Sequence, residues 1–570
     1  MNNLLEIKNL SVEYKLDDKV IKAVSNINLT LNKNESLGII GESGSGKTSL
    51  AMSIMKLISN PGKVKGKVYY KGKNIYEMSK ISLKNIRWNN IAMVFQNNLD
   101  VFNPVLTIYE QINEVLIKHL SLNKKHRENK IDELLKICGL NKDIKNYFPH
   151  ELSGGMRQRI LIAMALSCDP EILIVDEPTT ALDAIYKNEI IDLILKLQQE
   201  KKFALLVISH ELETIYKLTN TINVMYSGYM VETGPTVDIL KNPIHTYTRG
   251  LIQSSPTINP YKDMWGIPFE SNSYNNIVGC PFKERCTQSI DLCNKITPEL
   301  ERVSLDRYVA CNRKGIVTIL KGENINKKFK HKSSYTMACH DCNIEVKSGE
   351  IIALIGESGS GKSTLSSILS GIIELDSGTV MFENKRLRGN NFSMIKHGIQ
   401  MVFQDPFSSI NERFTIAEAV AEPLVILKNQ SLEIIRTEIK KVLKEVQLPN
   451  DHTFLERRCY TLSGGQRQRV SLARSLIMKP KLLIADEITS MLDPSTKANI
   501  VRLLKELQNK NGFSMIYVTH DLPVARKIAD RIYVMNNGKI IENGVSYEIF
   551  SNPLKEYTKK LVKEAFIYLE

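Results

Sequence analysis

The sequence predicts an α/β fold that is built twice, in tandem, within 570 residues. A glycine-rich stretch between an apolar β-type run and a helical pattern begins at Leu37, and it occurs again from Leu354. Further motifs recur in the same order about 310 residues later. In both copies an apolar run ends in two acids, as buried parallel strands do. We therefore expect one domain over residues 1–255 and a second over 316–570, and residues 256–315 between them resemble neither copy.

Composition indicates a globular protein with a basic surface. Apolar residues make up 43% of the chain and charged residues 24%, and the net charge is +14. No run of 18 apolar residues and no secretory pattern is present, so we expect a cytoplasmic protein without a bilayer span. A basic chain suits nucleic acid, anionic lipid or a nucleotide. The lysines are scattered along the chain, which weakens the nucleic-acid interpretation.

The repeated stretches, GESGSGKT and GESGSGKS, match the pattern G-x-x-x-x-G-K-[ST] of a phosphate-binding loop. Glycines let several backbone N–H groups point at one anion, and the helix that follows adds its positive end. Lys47 and Lys362 are expected to reach the β- and γ-phosphates, and Thr48 and Ser363 to bind Mg²⁺. The predicted nucleotide-binding residues of the loops are Gly41, Ser43, Gly44, Gly46, Lys47, Thr48, Ser49, Gly356, Ser358, Gly359, Gly361, Lys362, Ser363 and Thr364.

The ends of other β-type runs supply the residues predicted for hydrolysis. Asp176 and Asp486 are expected to hold Mg²⁺, and the next residues, Glu177 and Glu487, to polarise the attacking water. Histidines that follow each glutamate at the same interval are predicted to contact the γ-phosphate, and glutamines that end two further runs to sense Mg²⁺ and water. These residues are His210, His520, Gln96 and Gln404.

The stretches LSGGMRQR and LSGGQRQR each begin a second helix that exposes N–H groups and a hydroxyl, which again suits an anion. Two phosphate-binding ends in one domain cannot easily serve one nucleotide. We therefore expect head-to-tail domains with each nucleotide between them, so that Ser463 completes the first site and Ser153 the second. Gly155 and Gly465 are expected to take part in ATP binding beside these serines.

Together these motifs resemble the ATP-binding subunits of ABC transporters, with two such domains fused in one chain. The resemblance implies a P-loop NTPase fold with two ABC-type nucleotide-binding domains, each with a helical subdomain. It implies ATP hydrolysis with Mg²⁺, Tyr14 and Phe329 as adenine-stacking aromatics, and Asp183 and Asp493 as loop aspartates that couple the two sites.

Three stretches resemble a narrower group, the importers of oligopeptides, dipeptides and nickel. They are QDPFSSINERFTIAEAVAEPL from Gln404, HTYTRGLIQSSP from His245, and the cysteine-bearing CPFKERCTQSIDLC. This resemblance implies import of peptides, nickel or a metal-chelating small molecule. It also implies two transmembrane permease subunits and an extracellular solute-binding protein as partners, no nucleic acid, and a place at the cytoplasmic face of the cell membrane.

Four cysteines in the central segment, Cys280, Cys286, Cys293 and Cys311, have the spacing C-x5-C-x6-C-x17-C. Four thiolates suit a [4Fe–4S] cluster or a structural Zn²⁺. The absence of a C-x2-C pair among them disfavours common zinc layouts, and the family resemblance implies the iron–sulfur cluster. Cys339 and Cys342 align with core-strand positions of the first copy, so we expect them to be buried packing residues.

A soluble twin ABC ATPase that acts on ribosomes or nucleic acid is the alternative function. The position of the cysteines between the domains and the absence of a long charged helical linker oppose it. Because both copies retain lysine, aspartate, glutamate, histidine and the signature serine, we predict two hydrolysis-competent sites.

Overall fold

The computed structural model describes residues 3–16, 19–95, 101–180, 182–255, 266–267, 277–330, 335–387, 398–405, 409–427, 431–490 and 492–566. It divides into two compact units. Unit 1 comprises residues 1–258, 270–284 and 289–315, and unit 2 comprises residues 259–269, 285–288 and 316–570.

Unit 1 contains a four-stranded and an eight-stranded sheet. Its strands are β1 Asn3–Leu16, β2 Lys19–Asn32, β3 Ser36–Ile40, β4 Gly62–Tyr70, β5 Lys73–Asn74, β6 Ile91–Val94, β7 Ile172–Asp176, β8 Ala204–Ser209, β9 Thr221–Tyr226, β10 Tyr229–Pro235, β11 Glu301–Ser304 and β12 Arg307–Val309. The smaller sheet has the order β2-β1-β4-β5 and is antiparallel. The larger has the order β11-β12-β10-β9-β3-β8-β7-β6, in which β9 to β6 are parallel.

Unit 2 repeats this plan. Its strands are β13 Thr318–Lys330, β14 Tyr335–Lys347, β15 Ile351–Ile355, β16 Ser377–Phe382, β17 Lys385–Arg386, β18 Ile399–Val402, β19 Leu482–Asp486, β20 Ser514–Thr519, β21 Arg531–Asn536 and β22 Lys539–Val545. The order β14-β13-β16-β17 reproduces the small sheet, and β18-β19-β20-β15-β21-β22 reproduces β6-β7-β8-β3-β9-β10. The α/β architecture predicted for both copies is therefore confirmed.

Helices cover the strands in each unit. Those of unit 1 are Lys47–Ile54, Lys80–Ile86, Ile108–His119, Lys124–Ile137, Gly154–Ala165, Ala184–Lys201, Leu212–Leu218, Thr236–Lys241 and Thr246–Gln253. Those of unit 2 are Lys362–Leu369, Ile416–Leu427, Leu432–Glu445, His452–Leu455, Gly464–Leu476, Pro494–Asn511, Leu522–Ile528, Ser546–Ser551 and Glu556–Ala565. Among the residues that the structure describes, no helix is long and apolar enough to span a membrane.

The central strands end where the chemistry is expected. Every residue of β3, β7 and β8 is buried, as is every residue of β15, β19 and β20. This burial explains why their sequences are nearly continuous apolar runs. Because parallel strands place their carboxyl ends at one edge, the loops that follow them meet there and carry the functional residues.

A helical subdomain lies between β6 and β7 and between β18 and β19, as the resemblance implies. Its first long helix has a reciprocal cap in both units. The carboxylate of Glu110 accepts from the N–H of Thr107 at 2.7 Å, and that of Glu418 accepts from the N–H of Thr415 at 2.7 Å. Each threonine hydroxyl accepts from the N–H of its glutamate. Such capping boxes satisfy two N–H groups that the helix start leaves open.

The segment between the copies adds to the sheet of unit 1. Strand β12 pairs antiparallel with β10, and β11 pairs with β12. Arg307 from β12 lies beside the fully buried Glu232 of β10, with Nη2 2.7 Å from Oε1. The amides of Ile244 and His245 also donate to this carboxylate, each at 2.9 Å. The buried charge is thus paired and hydrogen-bonded, as it must be to be tolerated.

The isolated cysteines pack as expected. Cys339 and Cys342 in β14 have no exposed surface, and the prediction that they are core residues is confirmed. Cys138, Cys168 and Cys459 are also buried.

Candidate functional site

The loop between β3 and the helix Lys47–Ile54 has the backbone that an anion cradle requires. Gly46, directly before the helix, has a φ of 100°, and Gly44 a φ of 78°, which side-chain-bearing residues rarely adopt. A Cβ on Gly46 would lie 1.9 Å from the carbonyl oxygen of Ala23. The glycine is therefore required both for its conformation and for the close approach of the neighbouring strand.

Lys47 folds back into this loop. Its Nζ donates to the carbonyl oxygens of Gly41 and Glu42, both at 2.9 Å. Burial lowers the pKa of Lys47, and the nearby carboxylates of Glu177 and Asp176 act in the opposite direction. The ammonium thus lies within the loop, where a bound phosphate would accept hydrogen bonds from it.

The end of β7 offers a place for a hard cation. Asp176 is 1% exposed, and its Oδ1 has no hydrogen-bond partner among the described residues. Burial raises the pKa of Asp176 to about 6; a hydrogen bond from Thr48 lowers it and the charge of Glu177 raises it. A buried carboxylate oxygen without a partner beside a threonine hydroxyl fits Mg²⁺, which prefers oxygen ligands. When bound, Mg²⁺ neutralises phosphate charge.

Glu177 is held in a strained position next to this site. Its φ is 54°, which is uncommon outside glycine and is typical of functional positions. Its carboxylate contacts the Nδ1 of His210, 2.7 Å from Oε2, and accepts from the hydroxyl of Thr180 at 2.8 Å. The structure therefore brings together four of the residues assigned to this site: Glu177, His210, Lys47 and Asp176.

A cleft of about 720 Å³ opens over these groups. The predicted residues that line it are Gly41, Ser43, Gly44, Gly46, Lys47, Thr48, Ser49, Glu177 and His210, together with Ile21, Ala23, Glu42 and Leu251, which the sequence did not indicate. The volume suits a nucleotide. Ser153 and Gly155 are not among the described residues that line it.

Unit 2 reproduces the loop geometry. Gly359 and Gly361 have φ values of 81° and 105°. The Nζ of Lys362 donates to the carbonyl oxygen of Gly356 at 2.9 Å and to that of Glu357 at 2.8 Å. Ser358 is exposed and Thr364 is half-buried in the first turn of the following helix.

The acids of unit 2 differ in their partners. The hydroxyl of Ser363 donates to Asp486 at 3.3 Å, and burial raises the pKa of Asp486. Glu487, with a φ of 44°, accepts from Nε2 of Gln404 at 3.2 Å and lies 3.4 Å from Nδ1 of His520. The equivalent glutamine of the first copy, Gln96, lies outside the described residues.

The signature serines cap their helices. The Oγ of Ser153 accepts from the N–H of Met156 at 3.3 Å, and that of Ser463 from Gln466 at 3.4 Å. Gln466 also accepts from the N–H of Ser463 at 3.2 Å, a return bond that Met156 cannot make. Gly155 and Gly465 lie in the first turns of these helices.

The predicted aromatic residues lie at comparable strand positions. The hydroxyl of Tyr14 in β1 lies 3.3 Å from Oγ of Ser49 in the phosphate-loop helix. Phe329 in β13 is 37% exposed, with the Nζ of Lys327 5.8 Å from its ring centroid. Tyr14 is thus tied to the nucleotide loop of unit 1. No contact that links Phe329 to its own loop is described.

The coupling aspartates have a local role in the structure. Oδ1 of Asp183 accepts from the N–H groups of Ile185 and Tyr186, both at 3.1 Å. Asp493 does the same at the helix Pro494–Asn511. Both aspartates are N-caps, and their coupling role stays a prediction.

The four central cysteines are not gathered into a ligand set. Cys280 and Cys293 are buried, and the N–H of Cys280 donates to the carbonyl oxygen of Cys293 at 2.8 Å. Over the described part of the chain, no group of three or more histidine, cysteine or acidic side chains is arranged to hold a metal ion. This geometry does not fit a [4Fe–4S] cluster or Zn²⁺, each of which needs converging ligands.

Two further residues near the site of unit 1 were not indicated by the sequence. The hydroxyl of Thr180 donates to the carboxylate of Glu177, and the only indication of this contact in the sequence is a threonine three residues after the glutamate. Tyr247 is not part of a motif with an assigned role, but its hydroxyl accepts from the N–H of Glu42 in the phosphate loop at 2.8 Å. It lies in the stretch HTYTRGL, which resembles the importer group named above but indicated no role for this tyrosine.

The fold and the site together define a P-loop ATPase that is built twice. Residues 24–180 and 339–490 match the family model described as ABC transporter, and residues 231–293 match the C-terminal region of oligopeptide/dipeptide transporters. The chain belongs to the ATP-binding proteins of ABC transporters, with two ATPase domains in one chain, and as a member it binds and hydrolyses ATP.

Several relatives match this chain over nearly its whole length. The glutathione import ATP-binding protein GsiA of Shigella boydii is 33% identical over 574 residues, covering 98% of this chain and 89% of that protein. The peptidoglycan transport ATP-binding protein YejF of Agrobacterium fabrum is 33% identical over 571 residues, covering 99% and 96%. The ABC transporter ATP-binding protein YejF of Escherichia coli, described as uncharacterized, is 34% identical over 568 residues, covering 98% and 99%.

Proposed function

We propose that this chain energises import of a peptide-class solute through two composite ATP sites. The observation that carries the proposal is the complete set of lysine, aspartate, glutamate and histidine at both phosphate loops, in a chain that also matches the oligopeptide/dipeptide transporter region. The domain boundaries 1–255, 256–315 and 316–570 are part of this proposal.

In the proposed mechanism each loop holds the phosphates and each glutamate handles the water. Lys47 and the loop N–H groups bind the β- and γ-phosphates, and Thr48 with Asp176 would hold Mg²⁺. Glu177 orients and polarises the attacking water, while His210 fixes its carboxylate at 2.7 Å. Lys362, Ser363, Asp486, Glu487 and His520 do the same in unit 2, with Gln404 bonded to the glutamate.

Each site is completed by the signature serine of the other copy. The proposal is supported by two observations: each serine begins a helix whose first N–H groups can bind an anion, and Ser153 is absent from the described lining of its own unit's cleft. ATP then holds the two copies together, and loss of the γ-phosphate releases them.

A pair of matched variants tests this arrangement. In full-length protein with Lys47→Ala, only the second site can retain Mg²⁺ and radiolabelled ATP. There, Ser153→Arg is expected to abolish retention and Ser463→Arg to leave it unchanged. The opposite result, or equal effects of both arginines, would show that the serines do not act across the copies.

Two permease subunits and a solute-binding protein are the proposed partners, at the cytoplasmic face of the membrane. Co-purification tests this: association with membrane proteins supports import, and association with ribosomes supports the soluble twin ATPase instead. The names of the relatives described above favour peptide-type cargo, since they include glutathione import and peptidoglycan transport. Uptake of labelled di- and tripeptides and of ⁶³Ni by cells with and without this chain separates peptide from metal cargo.

The [4Fe–4S] cluster rests on the sequence alone, on four cysteines within one short segment. Anaerobic purification followed by iron and zinc analysis tests it. About four iron atoms per chain, lost in Cys280→Ser, are expected for a cluster; one zinc would favour the alternative occupant, and neither metal would agree with the described geometry.

A further inference from the structure

The geometry points to Tyr247 as a positioning residue for the phosphate loop of unit 1, held in place by Phe282 of the cysteine-bearing segment. Tyr247 has no exposed surface, and its hydroxyl accepts from the N–H of Glu42 at 2.8 Å. This N–H shares a peptide unit with the carbonyl oxygen of Gly41 in the glycine loop, and that oxygen accepts from Nζ of Lys47 at 2.9 Å. The hydroxyl therefore fixes the peptide that aims the phosphate-binding lysine.

The ring of Tyr247 is held by an aromatic cluster. Its centroid lies 4.7 Å from that of Tyr226 and 5.5 Å from that of Phe282. Phe282 also contacts Tyr226 at 5.1 Å, edge to face, and His245 at 5.6 Å. Phe282 is 2% exposed and lies two residues after Cys280. Such contacts stabilise aromatic rings beyond their buried area, so the segment between the copies fixes the tyrosine that fixes the loop.

Unit 2 has an equivalent tyrosine, Tyr557, and no aromatic ring of the described residues is paired with it. The hydroxyl of Tyr557 accepts from the N–H of Glu357 at 3.2 Å, but Tyr557 is half-buried and Glu357 is exposed. Where unit 1 has Tyr226 and His245, the second copy has Asn536 and Lys555. Water can replace the half-exposed hydroxyl of Tyr557, whereas the ring of Tyr247 is fully buried, so that loss of its hydroxyl costs the loop a contact that water does not readily restore. The ATP site of unit 1 should therefore depend on its tyrosine, and that of unit 2 should not.

The inference rests on the proposed ATP site of unit 1, and the test separates the two. In the full chain with Lys362→Ala, Mg²⁺ and a fluorescent ATP analogue report unit 1. Tyr247→Phe, which removes only the hydroxyl, is expected to weaken binding about 5-fold. Phe282→Leu is expected to weaken it about 3-fold. In the matched Lys47→Ala chain, Tyr557→Phe should change binding less than about twofold, since water can satisfy that N–H.

The Tm of the protein without ATP, together with KM and kcat for ATP, distinguishes a positioning role of Tyr247 from a purely structural one. A positioning role raises KM for ATP and leaves kcat within about twofold, because Glu177 and His210 are untouched. Unchanged affinity in Tyr247→Phe, with or without a lower Tm, would overturn the inference, as would equal effects of the two tyrosines. If Tyr247→Phe does not fold, Phe282→Leu decides by the same criteria. If Lys47→Ala alone leaves ATP binding at unit 1 intact, the proposed site fails rather than the inference.

Discussion

Acid should destabilise this protein through one buried histidine, His245. Its Nδ1 accepts from the N–H of Tyr247 at the start of a helix, and burial lowers its pKa to about 4. In the unfolded chain the same imidazole titrates near 6.5. Since the unfolded state binds the proton first, stability is full above pH 6.5 and falls as the pH drops toward 4.

The size of the effect follows from the two pKa values. At 1.36 kcal/mol per unit, the free energy of unfolding falls by about 2 kcal/mol between pH 6.5 and pH 5, and by about 3 kcal/mol at pH 4. His245→Asn retains an oxygen that can accept the helix N–H but cannot be protonated. At pH 7.5 the variant should be about 1 kcal/mol less stable, since it loses the ring contact with Phe282.

Thermal unfolding of the full chain from pH 7.5 to 5 is the measurement. Relative to wild type, His245→Asn should gain about 2 kcal/mol on acidification, or roughly 4 °C in Tm. His150→Asn, at an exposed position, is the control for removal of a histidine. A pH dependence of Tm in His245→Asn that parallels the wild type would refute the reasoning.

Three further outcomes are expected at the nucleotide sites. Glu177→Gln and Glu487→Gln should each reduce steady-state ATPase activity by about 100-fold at their own site, and very unequal losses would contradict two competent sites. Gly46→Ala should abolish ATP binding at unit 1, because its Cβ would collide with the carbonyl of Ala23, while Gly72→Ala, with a φ of 77° and open space around it, should bind ATP normally in the same titration. Asp176→Asn should bind the ATP analogue without Mg²⁺ as wild type does and lose the gain in affinity that Mg²⁺ gives, measured by paired titrations.

Much of the fold could be predicted because its signals are local. Strands such as β7 and β8 are apolar throughout since both faces are buried, and glycines of the phosphate loop appear wherever φ is positive. The clustering of Glu177 with His210 also followed from sequence, because both residues end neighbouring parallel strands.

Contacts between distant segments could not be predicted. The pairing of β12 with β10 and the bond from Glu42 to Tyr247 join residues far apart in the chain, and no periodicity marks them. The spacing of the four cysteines suggested ligands that converge on a metal. Spacing shows only that the side chains could come together, and it does not determine whether the fold brings them together. In the described structure the backbone N–H of Cys280 instead donates to the carbonyl oxygen of Cys293, and the side chain of Phe282 is buried.

The two sites share their chemistry and differ in what supports it. Glu177 is fixed by His210 and Thr180 at 2.7 and 2.8 Å, whereas Glu487 is fixed by Gln404 at 3.2 Å, with His520 at 3.4 Å. The contacts of the glutamate are thus longer in unit 2, and hydrogen bonds of this kind tighten when a substrate binds. Residues of the central segment pack in both units: Phe282 and Arg307 do so in unit 1, whereas the side chain of Gln288 accepts from the N–H of Val317 in unit 2. The difference between the two sites thus lies in these supports: Phe282 packs against Tyr247 at the loop of unit 1, and no aromatic ring of the described residues is paired with Tyr557 of unit 2.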